Sequence, residues 1–252
     1  MFELTAVADL SAASDDDALL LWAAQGLTRG ARAWTRGRAV AVACPALSGR
    51  DRIAVRGPVE ELSPLLAEVI DLVGPTYRPL GDADLLAGLA ARDDRLELRG
   101  RFGWMDRTGP LGDGAAGGAV DGAAVVAGWL GPAESGAAGE LMDRHFPDSH
   151  AHPRRAGATA WAGVRDAEGR LTALAADAWP APEVGLLAGV VADPGRGRGR
   201  GHAEAACRLV LTRILERSPR AALMVHEWNA PAIRLYRRFG LAYRPLDAAA
   251  QR

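Results

Sequence analysis

The sequence predicts a mixed α/β fold arranged in two lobes. Short apolar runs with the lengths of strands alternate with longer segments whose apolar residues recur every third or fourth position, the spacing of amphipathic helices. A stretch at 109–124 consists mostly of glycine and alanine and predicts a linker between the lobes. At 252 residues, the chain is long enough for one large domain or two ordinary ones.

The segment before this linker, residues 1–108, predicts a small α/β lobe. Its expected elements are a helix at Leu19–Gln25, strands at Val40–Cys44 and Ile53–Val55, a helix at Pro58–Val73, a strand at Thr76–Leu80, a helix at Asp82–Ala91 and a strand at Leu96–Met105. This order echoes the second half of the C-terminal lobe. The N-terminal lobe is therefore either a degenerate copy of the same fold or an unrelated small α/β domain.

The segment after the linker, residues 125–252, predicts a second lobe in the order β-α-β-β-β-α-β-α-β. Its expected elements are a strand at Val125–Leu130, a helix at Pro132–Phe146, strands at Ala160–Arg165, Leu171–Ala176 and Val184–Val191, a helix at Ala203–Glu216, a strand at Ala221–Val225, a helix at Asn229–Phe239 and a strand at Ala242–Leu246. We expect a mixed sheet covered by helices.

Composition and charge narrow the class of protein. A formal net charge of −1 gives no global electrostatic case for a nucleic-acid partner, and no apolar run approaches the ~18 residues that span a membrane. Cys44 and Cys207 are expected to be small core residues in a reducing cytoplasm. The chain contains no lysine, which disfavours a P-loop NTPase. Its richness in Ala, Arg and Gly is typical of a high-GC bacterial source.

The most informative stretch is an arginine- and glycine-rich loop at Gly195–Ala203, between an expected strand and an expected helix. Glycine lets the backbone approach an anion closely, and the first amides of a helix are unpaired and lie at its positive end. Arginine side chains add charge-assisted hydrogen bonds. This Arg-Gly loop therefore predicts a phosphate site, in preference to a nonspecific RNA-binding patch.

A second motif lies at Asn229–Gly240 and reads as a helix with clear ends. Asn229 is a suitable N-cap, Pro231 fits the first turn and Gly240 fits the position after the last turn. Tyr236 shares one helical face with the apolar residues around it.

Together, the two motifs make Val190–Gly240 resemble the GNAT acetyltransferase superfamily. The Arg-Gly loop resembles the family pattern Arg/Gln-x-x-Gly-x-Gly/Ala, and the helix resembles Asn-x-x-Ala-x-x-Leu-Tyr-x-x-x-Gly. Two registers fit the loop, one starting at Arg196 and one at Arg198, and we favour Arg198 because its register leads directly into the helix. The resemblance implies an acyl-CoA N-acyltransferase fold in the C-terminal lobe, with acetyl-CoA as co-substrate and direct transfer in a ternary complex.

The resemblance also implies the residues that contact the cofactor. They are Val190, Val191, Arg196, Gly197, Arg198, Gly199, Arg200, Gly201, His202, Ala203 and Asn229.

For catalysis, Tyr236 is the expected general acid, since a phenol with a pKa near ~10 can protonate a leaving thiolate. Glu183, at the start of the cofactor strand, is the expected general base. Asp177, His226 and Glu227 are lesser candidates, and strand parity would turn His226 away from the cleft. Removal of the proton by a chain of water molecules, with no single residue as the base, also stays a possibility here.

We expect the acceptor to be a small-molecule or peptide primary amine, bound by residues of two loops. These substrate residues are Phe146, Asp148, His150, Asp177 and Trp179. The carboxylates of Asp148, Asp177 and Glu183 would suit a cationic amine, with Trp161 and Trp179 as apolar walls. No metal is expected at His150-x-His152, because a third ligand is not nearby.

Two readings beside the amine acetyltransferase stay open. The first keeps the enzyme but uses a longer acyl-CoA or a hydroxyl acceptor. The second is a non-catalytic module that binds CoA as a sensor or scaffold. We expect no nucleic-acid or membrane partner, and a homodimer is left open.

Overall fold

A computed structural model describes residues 1–112, 119–120 and 123–252. In the N-terminal part the elements are β1 (Phe2–Leu4), α1 (Val7–Ala13), α2 (Ala18–Ala24), β2 (Arg32–Arg36), β3 (Ala39–Leu47), β4 (Arg50–Arg56), α3 (Val59–Val73), β5 (Arg78–Asp82), α4 (Ala83–Ala90) and β6 (Leu96–Thr108). Of the expected linker at 109–124, residues 113–118 and 121–122 lie outside the described residues.

The C-terminal part continues the same alternation. Its elements are β7 (Ala119–Val120), β8 (Ala123–Ala124), β9 (Ala127–Trp129), α5 (Ser135–His145), β10 (Ala158–Arg165), β11 (Leu171–Ala178), β12 (Val184–Ala192), α6 (His202–Arg217), β13 (Arg220–His226), α7 (Ala230–Arg238) and β14 (Ala242–Gln251). Short 3₁₀ turns lie at Gln25–Leu27 and Pro132–Glu134.

Twelve of the described strands form one sheet in the order β1-β2-β3-β4-β5-β14-β6-β13-β12-β11-β10-β9. The two central strands are exchanged between the lobes. The last strand of the N-terminal part, β6, pairs with β13, and the last strand of the chain, β14, pairs with β5. Because β6 and β14 also pair with each other along their length, the lobes share one continuous sheet.

The two halves of the sheet repeat one order of elements. In each half, three antiparallel strands lead through a helix to a parallel strand, then a second helix and the exchanged strand. The parallel pairs are β4 with β5 and β12 with β13. The halves differ after the third of these strands, because only Gly57 and Pro58 separate β4 from α3, whereas residues 193–201 separate β12 from α6.

Helices cover both faces of the C-terminal half. On one face, α6 and α7 pack against the strands through a cluster that includes Cys207, Leu211 and Tyr236. On the other, α2 packs against the centre of the sheet, where Trp22 lies 5.7 Å from Trp104 between ring centroids. The helix α5 packs beside it, against Leu174 and Val191.

The expected mixed α/β fold is confirmed, with changes at several element ends. The strand expected at Val125–Leu130 is shorter, as β9, and the last strand runs on to Gln251 because β6 pairs with it along its length. The sequence did not predict β1, α1 or β2, which are short or lack an alternating pattern.

Candidate functional site

The parallel strands β12 and β13 separate partway along their length. Four residue pairs join them, from Val184 with Arg220 to Leu187 with Leu223. Beyond that point β12 runs to Ala192 and β13 to His226, and these described segments do not pair with each other. The backbone edges of both strands therefore face a wedge-shaped gap.

A bulge in β12 explains the separation. Its pairing with β11 shifts from Ala176 opposite Ala188 to Leu174 opposite Val191, so β12 carries one extra residue there. Gly189 lies within the bulge with φ of 59°, a left-handed conformation that favours glycine. A Cβ at this position would lie 2.5 Å from the Trp161 ring. The glycine is therefore needed both for the backbone conformation and for the packing.

A cavity of about 500 Å³ opens at this gap. Its C-terminal wall consists of residues from β12, β13 and α7: Leu186, Leu187, Ala188, Gly189, Val190, Met224, Val225, His226, Asn229 and Tyr236. The expected cofactor residues Val190 and Asn229 thus lie together with Tyr236. Val191 does not line the cavity, because it is buried against α5.

The helix α7 places Tyr236 in the gap. Asn229 caps the helix by accepting a hydrogen bond from the Ala232 amide at 3.3 Å, as expected. Tyr236 is 5% exposed. Burial, with the nearby Cys207 thiol, raises the pKa of Tyr236 well above its usual value. Its hydroxyl makes no hydrogen bond with a described residue, so it stays a neutral donor available to a ligand.

The Arg-Gly loop is organised by Asp193. The Asp193 carboxylate accepts hydrogen bonds from the amides of Gly195 (2.8 Å) and Arg196 (3.0 Å), and its carbonyl accepts from those of Gly197 and Arg198, both at 2.9 Å. Gly197 packs so closely on Thr172 that a Cβ would overlap the Thr172 carbonyl.

Most of the later amides of the loop, by contrast, are free of hydrogen bonds within the part of the chain that the structure describes. The amides of Gly199, Gly201, His202, Ala203 and Glu204 donate to no described residue. They lie where α6 begins, and Gly199 and Gly201 have φ of 76° and 75°. This arrangement is a cluster of free amides at a helix N-terminus, which suits a phosphate.

The loop arginines are not equivalent. Arg196 forms an ion pair with Asp166 at 3.2 Å, whereas Arg198 and Arg200 form none with the part of the chain that the structure describes. Although desolvation opposes the change, hydrogen bonds from Arg170 and Arg196 lower the pKa of Asp166 to about 2. Arg196 is therefore occupied within the protein, while Arg198 is exposed and unpaired.

The side chain of His202 serves the fold. Its Nδ1 lies 2.6 Å from the Thr172 hydroxyl, which itself donates to the Val164 carbonyl, so Nδ1 is the donor in this pair. Burial, followed by the charge of Arg200, lowers the pKa of His202. The Nδ1 atom of His202 is therefore occupied within the protein.

The three carboxylates expected near the acceptor lie outside the cavity lining. Asp177 is fully buried and forms a two-pronged ion pair with Arg217, at 2.6 and 3.2 Å. Glu183 precedes β12 at the end far from the bulge, about 20 Å from Gly189 at the ordinary rise of a strand. Asp148 is exposed in its loop. In this structure none of them is placed to meet an amine in the cavity.

The loop after α5 contributes two of the expected substrate residues. Phe146 and His150 line the cavity, together with Ser149 and Ala151. His152 does not, because its ring bonds to Asp143 at 3.0 Å and accepts from the Arg154 amide at 3.1 Å. No group of three or more His, Cys, Asp or Glu among the described residues is placed to hold a metal ion.

Trp179 also lines the cavity, as expected. Its φ of 43° is unusual for a bulky residue. The Trp179 carbonyl accepts hydrogen bonds from the side chains of Trp22 (2.9 Å) and Gln25 (3.2 Å), both in the N-terminal part. These bonds hold the strained residue in place and tie one wall of the cavity to the other lobe.

Several cavity residues were missed by the sequence analysis or assigned the wrong direction. His226 lines the cavity, contrary to the expectation from strand parity, because β13 diverges from β12 near its end. The N-terminal half supplies five arginines: Arg50, Arg52, Arg78, Arg99 and Arg101. The spacing Arg99-x-Arg101 on an expected strand was an available signal, since such pairs share a face. Arg50 and Arg52 precede the strand expected at Ile53–Val55, which begins earlier in the structure.

Comparison with known proteins agrees with this geometry. The acetyltransferase (GNAT) family model matches residues 129–241. No curated protein sequence matches the chain. Among the described residues, no helix is long and apolar enough to cross a membrane.

Three solved structures share the fold at low identity. A GCN5-related N-acetyltransferase from Kribbella flavida is 17% identical, with 98% of this chain and 96% of that chain covered and a TM-score of 0.61. One from Sphaerobacter thermophilus is 16% identical, with coverage of 84% and 75% and a TM-score of 0.58. A GCN5-related N-acetyltransferase-like protein from Streptococcus suis is 9% identical, with 97% of each chain covered and a TM-score of 0.55.

The family match covers the Arg-Gly loop, the separated strands and the helix that carries Tyr236. The C-terminal half of the chain, over residues 129–241, is therefore an acetyltransferase domain of the GNAT family.

Proposed function

We propose that the protein is an N-acetyltransferase that moves the acetyl group of acetyl-CoA directly to a primary amine. The observation that carries the proposal is the gap between β12 and β13, which has Tyr236 on its wall and leads along β12 toward the free amides of the Arg-Gly loop. In the reaction the amine nitrogen bonds to the thioester carbon, and the carbon–sulfur bond breaks.

The cofactor's pyrophosphate binds the free amides at the start of α6. Asp193 already occupies the amides from Gly195 to Arg198, so the available donors begin at Gly199. This distribution favours the register that starts at Arg198. The Arg198 and Arg200 side chains add charge-assisted contacts at the rim, and Arg196 mainly stabilises the loop through Asp166.

The pantetheine arm lies along β12 beyond Leu187. There the strand's edge is released from β13, and Val190 lines the cavity. The unpaired backbone groups of this edge can take the place of a neighbouring strand for the pantetheine amides.

Tyr236 acts as the general acid. Its raised pKa keeps the phenol protonated, and its free hydroxyl can donate to the sulfur as negative charge develops. The leaving thiolate takes this proton, and the phenolate is reprotonated from solvent.

The proton from the amine goes to His226 or to water near it. No Asp or Glu lines the cavity among the described residues. His226 does line it, and imidazole is the side chain most often used as a general base. The His226 ring stacks on the Trp228 ring at the exposed end of β13, with 5.2 Å between the ring centroids.

The N-terminal half is proposed to be a degenerate copy that binds no cofactor of its own. It repeats the order of elements, but Gly57 and Pro58 replace the whole phosphate loop. The helix α4, which corresponds to α7 in the repeated order, carries Leu85 and Leu86 and no tyrosine. This predicts one acetyl-CoA per chain. The free, buried thiols of Cys44 and Cys207 support a reducing cytoplasm as the setting.

The experiment is release of CoA thiol from acetyl-CoA with a panel of primary amines. We expect saturable, amine-dependent release that falls strongly in Tyr236→Phe. Saturable CoA binding with no release on any amine, and no effect of Tyr236→Phe, would instead support a CoA-binding sensor or scaffold. Release only with alcohols, or only with longer acyl-CoA donors, would support the alternative enzymes.

A further inference from the structure

The five cavity arginines from the N-terminal half have no part in the transfer chemistry above. We propose that they bind an oxyanion, a carboxylate or a phosphate, carried by the acceptor next to its amine. This inference rests on the proposed acetyl transfer and names the class of its acceptor. It replaces the expectation of a cationic amine bound by carboxylates.

The sheet brings the arginines together from three strands. Arg52 of β4 and Arg78 of β5 are cross-strand neighbours in a parallel pair. Arg99 and Arg101 come from β6, two strands away. On the strand between, Ala248 pairs with both Leu80 and Gly100 and also lines the cavity. A small residue at this position leaves the space between the arginine groups open.

Most of these charges are not neutralised within the protein. Arg99 pairs with Glu97 at 3.0 Å, whereas Arg50, Arg78 and Arg101 form no ion pair with a residue that the structure describes. The cavity lining contains no Asp or Glu among those residues. Like charges on neighbouring strands repel each other, and an anion bound among these arginines would relieve that repulsion.

Arg52 is the clearest sign of a binding site. It is 7% exposed, and its Nε donates to the Leu47 carbonyl (3.1 Å) and the Ser48 hydroxyl (3.0 Å). Its two terminal nitrogens make no hydrogen bond with a described residue, although the side chain lines the cavity. A buried guanidinium is normally fully paired. The fixed Nε orients the remaining donors for a ligand with two oxygens.

The electrostatics agree with this geometry. Burial, followed by the charges of Arg50 and Arg78, lowers the pKa of Arg52 to about 10. Desolvation, followed by the charges of Arg52 and Arg50, also lowers the pKa of His150 at the same wall. In both cases the smaller contribution, from the neighbouring arginines, reflects a positive potential that an oxyanion would relieve.

This anion site is distinct from the phosphate site of the cofactor. None of the Arg-Gly loop residues lines the cavity. The arginines and Tyr236 lie on different walls of the same cavity, so an acceptor held by its anionic end can present an amine toward the gap. The positive potential also disfavours the ammonium form of that amine, which must lose its proton before it attacks.

The first test measures anion binding without transfer. Inorganic phosphate and malonate are titrated by calorimetry into the full chain at constant ionic strength. The Arg78→Gln/Arg101→Gln double variant should weaken binding at least tenfold, because each charge-assisted bond contributes strongly. Arg144→Gln, at an exposed arginine outside the cavity, should leave this binding unchanged. Equal affinity for malonate in wild type and the double variant would overturn the anion site.

The second test measures acetyl transfer to four small amines that differ only in their second group. O-phosphoethanolamine and β-alanine carry an oxyanion, ethanolamine is neutral there and ethylenediamine is cationic. We expect kcat/KM at least tenfold higher for one or both anionic amines, and the better of the two identifies phosphate or carboxylate. The double variant should remove this preference and leave activity on ethanolamine nearly unchanged.

The outcomes separate this inference from the proposed function. Equal use of all four amines, or preference for ethylenediamine, would overturn the anionic acceptor while acetyl transfer stands. Anion binding that depends on Arg78 and Arg101, with no transfer to any amine, would support the anion site and contradict the transferase. Circular dichroism of each variant checks that the fold is intact.

Discussion

Leu187 and Leu223 are the last residues that pair β12 with β13, and Tyr236 lies on the wall of the gap that opens beyond them. The fold therefore places a buried, neutral phenol beside two released strand edges. The bulge at Gly189 sets where the separation begins. The expected consequences of this arrangement can be measured separately for the acid, the cofactor loop, the bulge and the contact between lobes.

Replacing the phenol hydroxyl should slow transfer without weakening cofactor binding. Tyr236→Phe is expected to lower kcat for acetyl transfer by about 100-fold, a typical contribution of a general acid. The KM for acetyl-CoA should stay within about twofold, because the change removes one oxygen and leaves the packing in place. Tyr243→Phe, outside the cavity, is the matched control and should retain full activity. Equal rates for wild type and Tyr236→Phe would rule out the acid role.

The two loop arginines should differ in their effect on cofactor affinity. Arg198→Ala is expected to raise the Kd for acetyl-CoA by about tenfold or more, the loss of one charge-assisted hydrogen bond. Arg196→Ala should change it by less than about threefold, because that side chain is paired with Asp166. Calorimetry on both variants checks this. A larger effect at Arg196 would place the motif in the other register.

Glycine at the bulge should be hard to replace. In Gly189→Ala the new Cβ meets the Trp161 ring at 2.5 Å in a left-handed backbone conformation. We expect the free energy of unfolding to fall by about 2 kcal/mol or more, measured by urea denaturation. Gly128→Ala is the control, since a Cβ there meets no atom within 4 Å. Similar stabilities for the two variants would show that β12 adapts to a side chain at the bulge.

A buried carboxylate joins the two ends of the chain. Asp17 caps α2 through the Leu19 amide at 2.8 Å and forms a two-pronged ion pair with Arg244, at 2.6 and 3.1 Å. Although burial opposes it, the Arg244 guanidinium lowers the pKa of Asp17 below its ordinary 3.8. Asp17→Asn should reduce the free energy of unfolding by about 3 kcal/mol at pH 7, since it breaks a largely buried pair.

The difference in the free energy of unfolding between wild type and Asp17→Asn should change with pH in one direction. Because the pKa of Asp17 is lowered on folding, its stabilisation is complete above pH 3.8 and is lost as the pH falls toward the folded-state pKa. Urea denaturation from pH 7 down to pH ~3 should therefore show wild type and Asp17→Asn converging at the acid end. Asp15→Asn should cost less than about 0.5 kcal/mol throughout, because that side chain is 82% exposed. A constant gap across this range would exclude a charge effect.

Local sequence signals predicted most of the fold. Caps, glycines and apolar spacing were sufficient for the helices α3, α6 and α7 and for the hairpin of β10 and β11. The exchange of β6 and β14 between lobes could not be predicted, because only long-range pairing decides which strands become their neighbours. The length of β14 follows from that pairing and was missed for the same reason.

For the site, the cofactor side was easier to predict than the acceptor side. The Arg-Gly loop and Tyr236 belong to continuous motifs, each held by its own strand, turn or helix. The acceptor wall combines β4, β5, β6 and the loop after α5, so no local pattern links Arg52 with Arg78 or His150. The sequence analysis assigned carboxylates to the acceptor site instead, but Asp177 forms an ion pair with Arg217 in the core.

The most direct test of the central claim is a crystal structure of the full chain with acetyl-CoA. We predict one cofactor per chain, with its pyrophosphate on the free amides of Gly199 and of Gly201 to Glu204, and its thioester sulfur within hydrogen-bond reach of the Tyr236 hydroxyl. A pyrophosphate seated on the cavity arginines, or at the Gly57–Pro58 turn of the other half, would contradict this account.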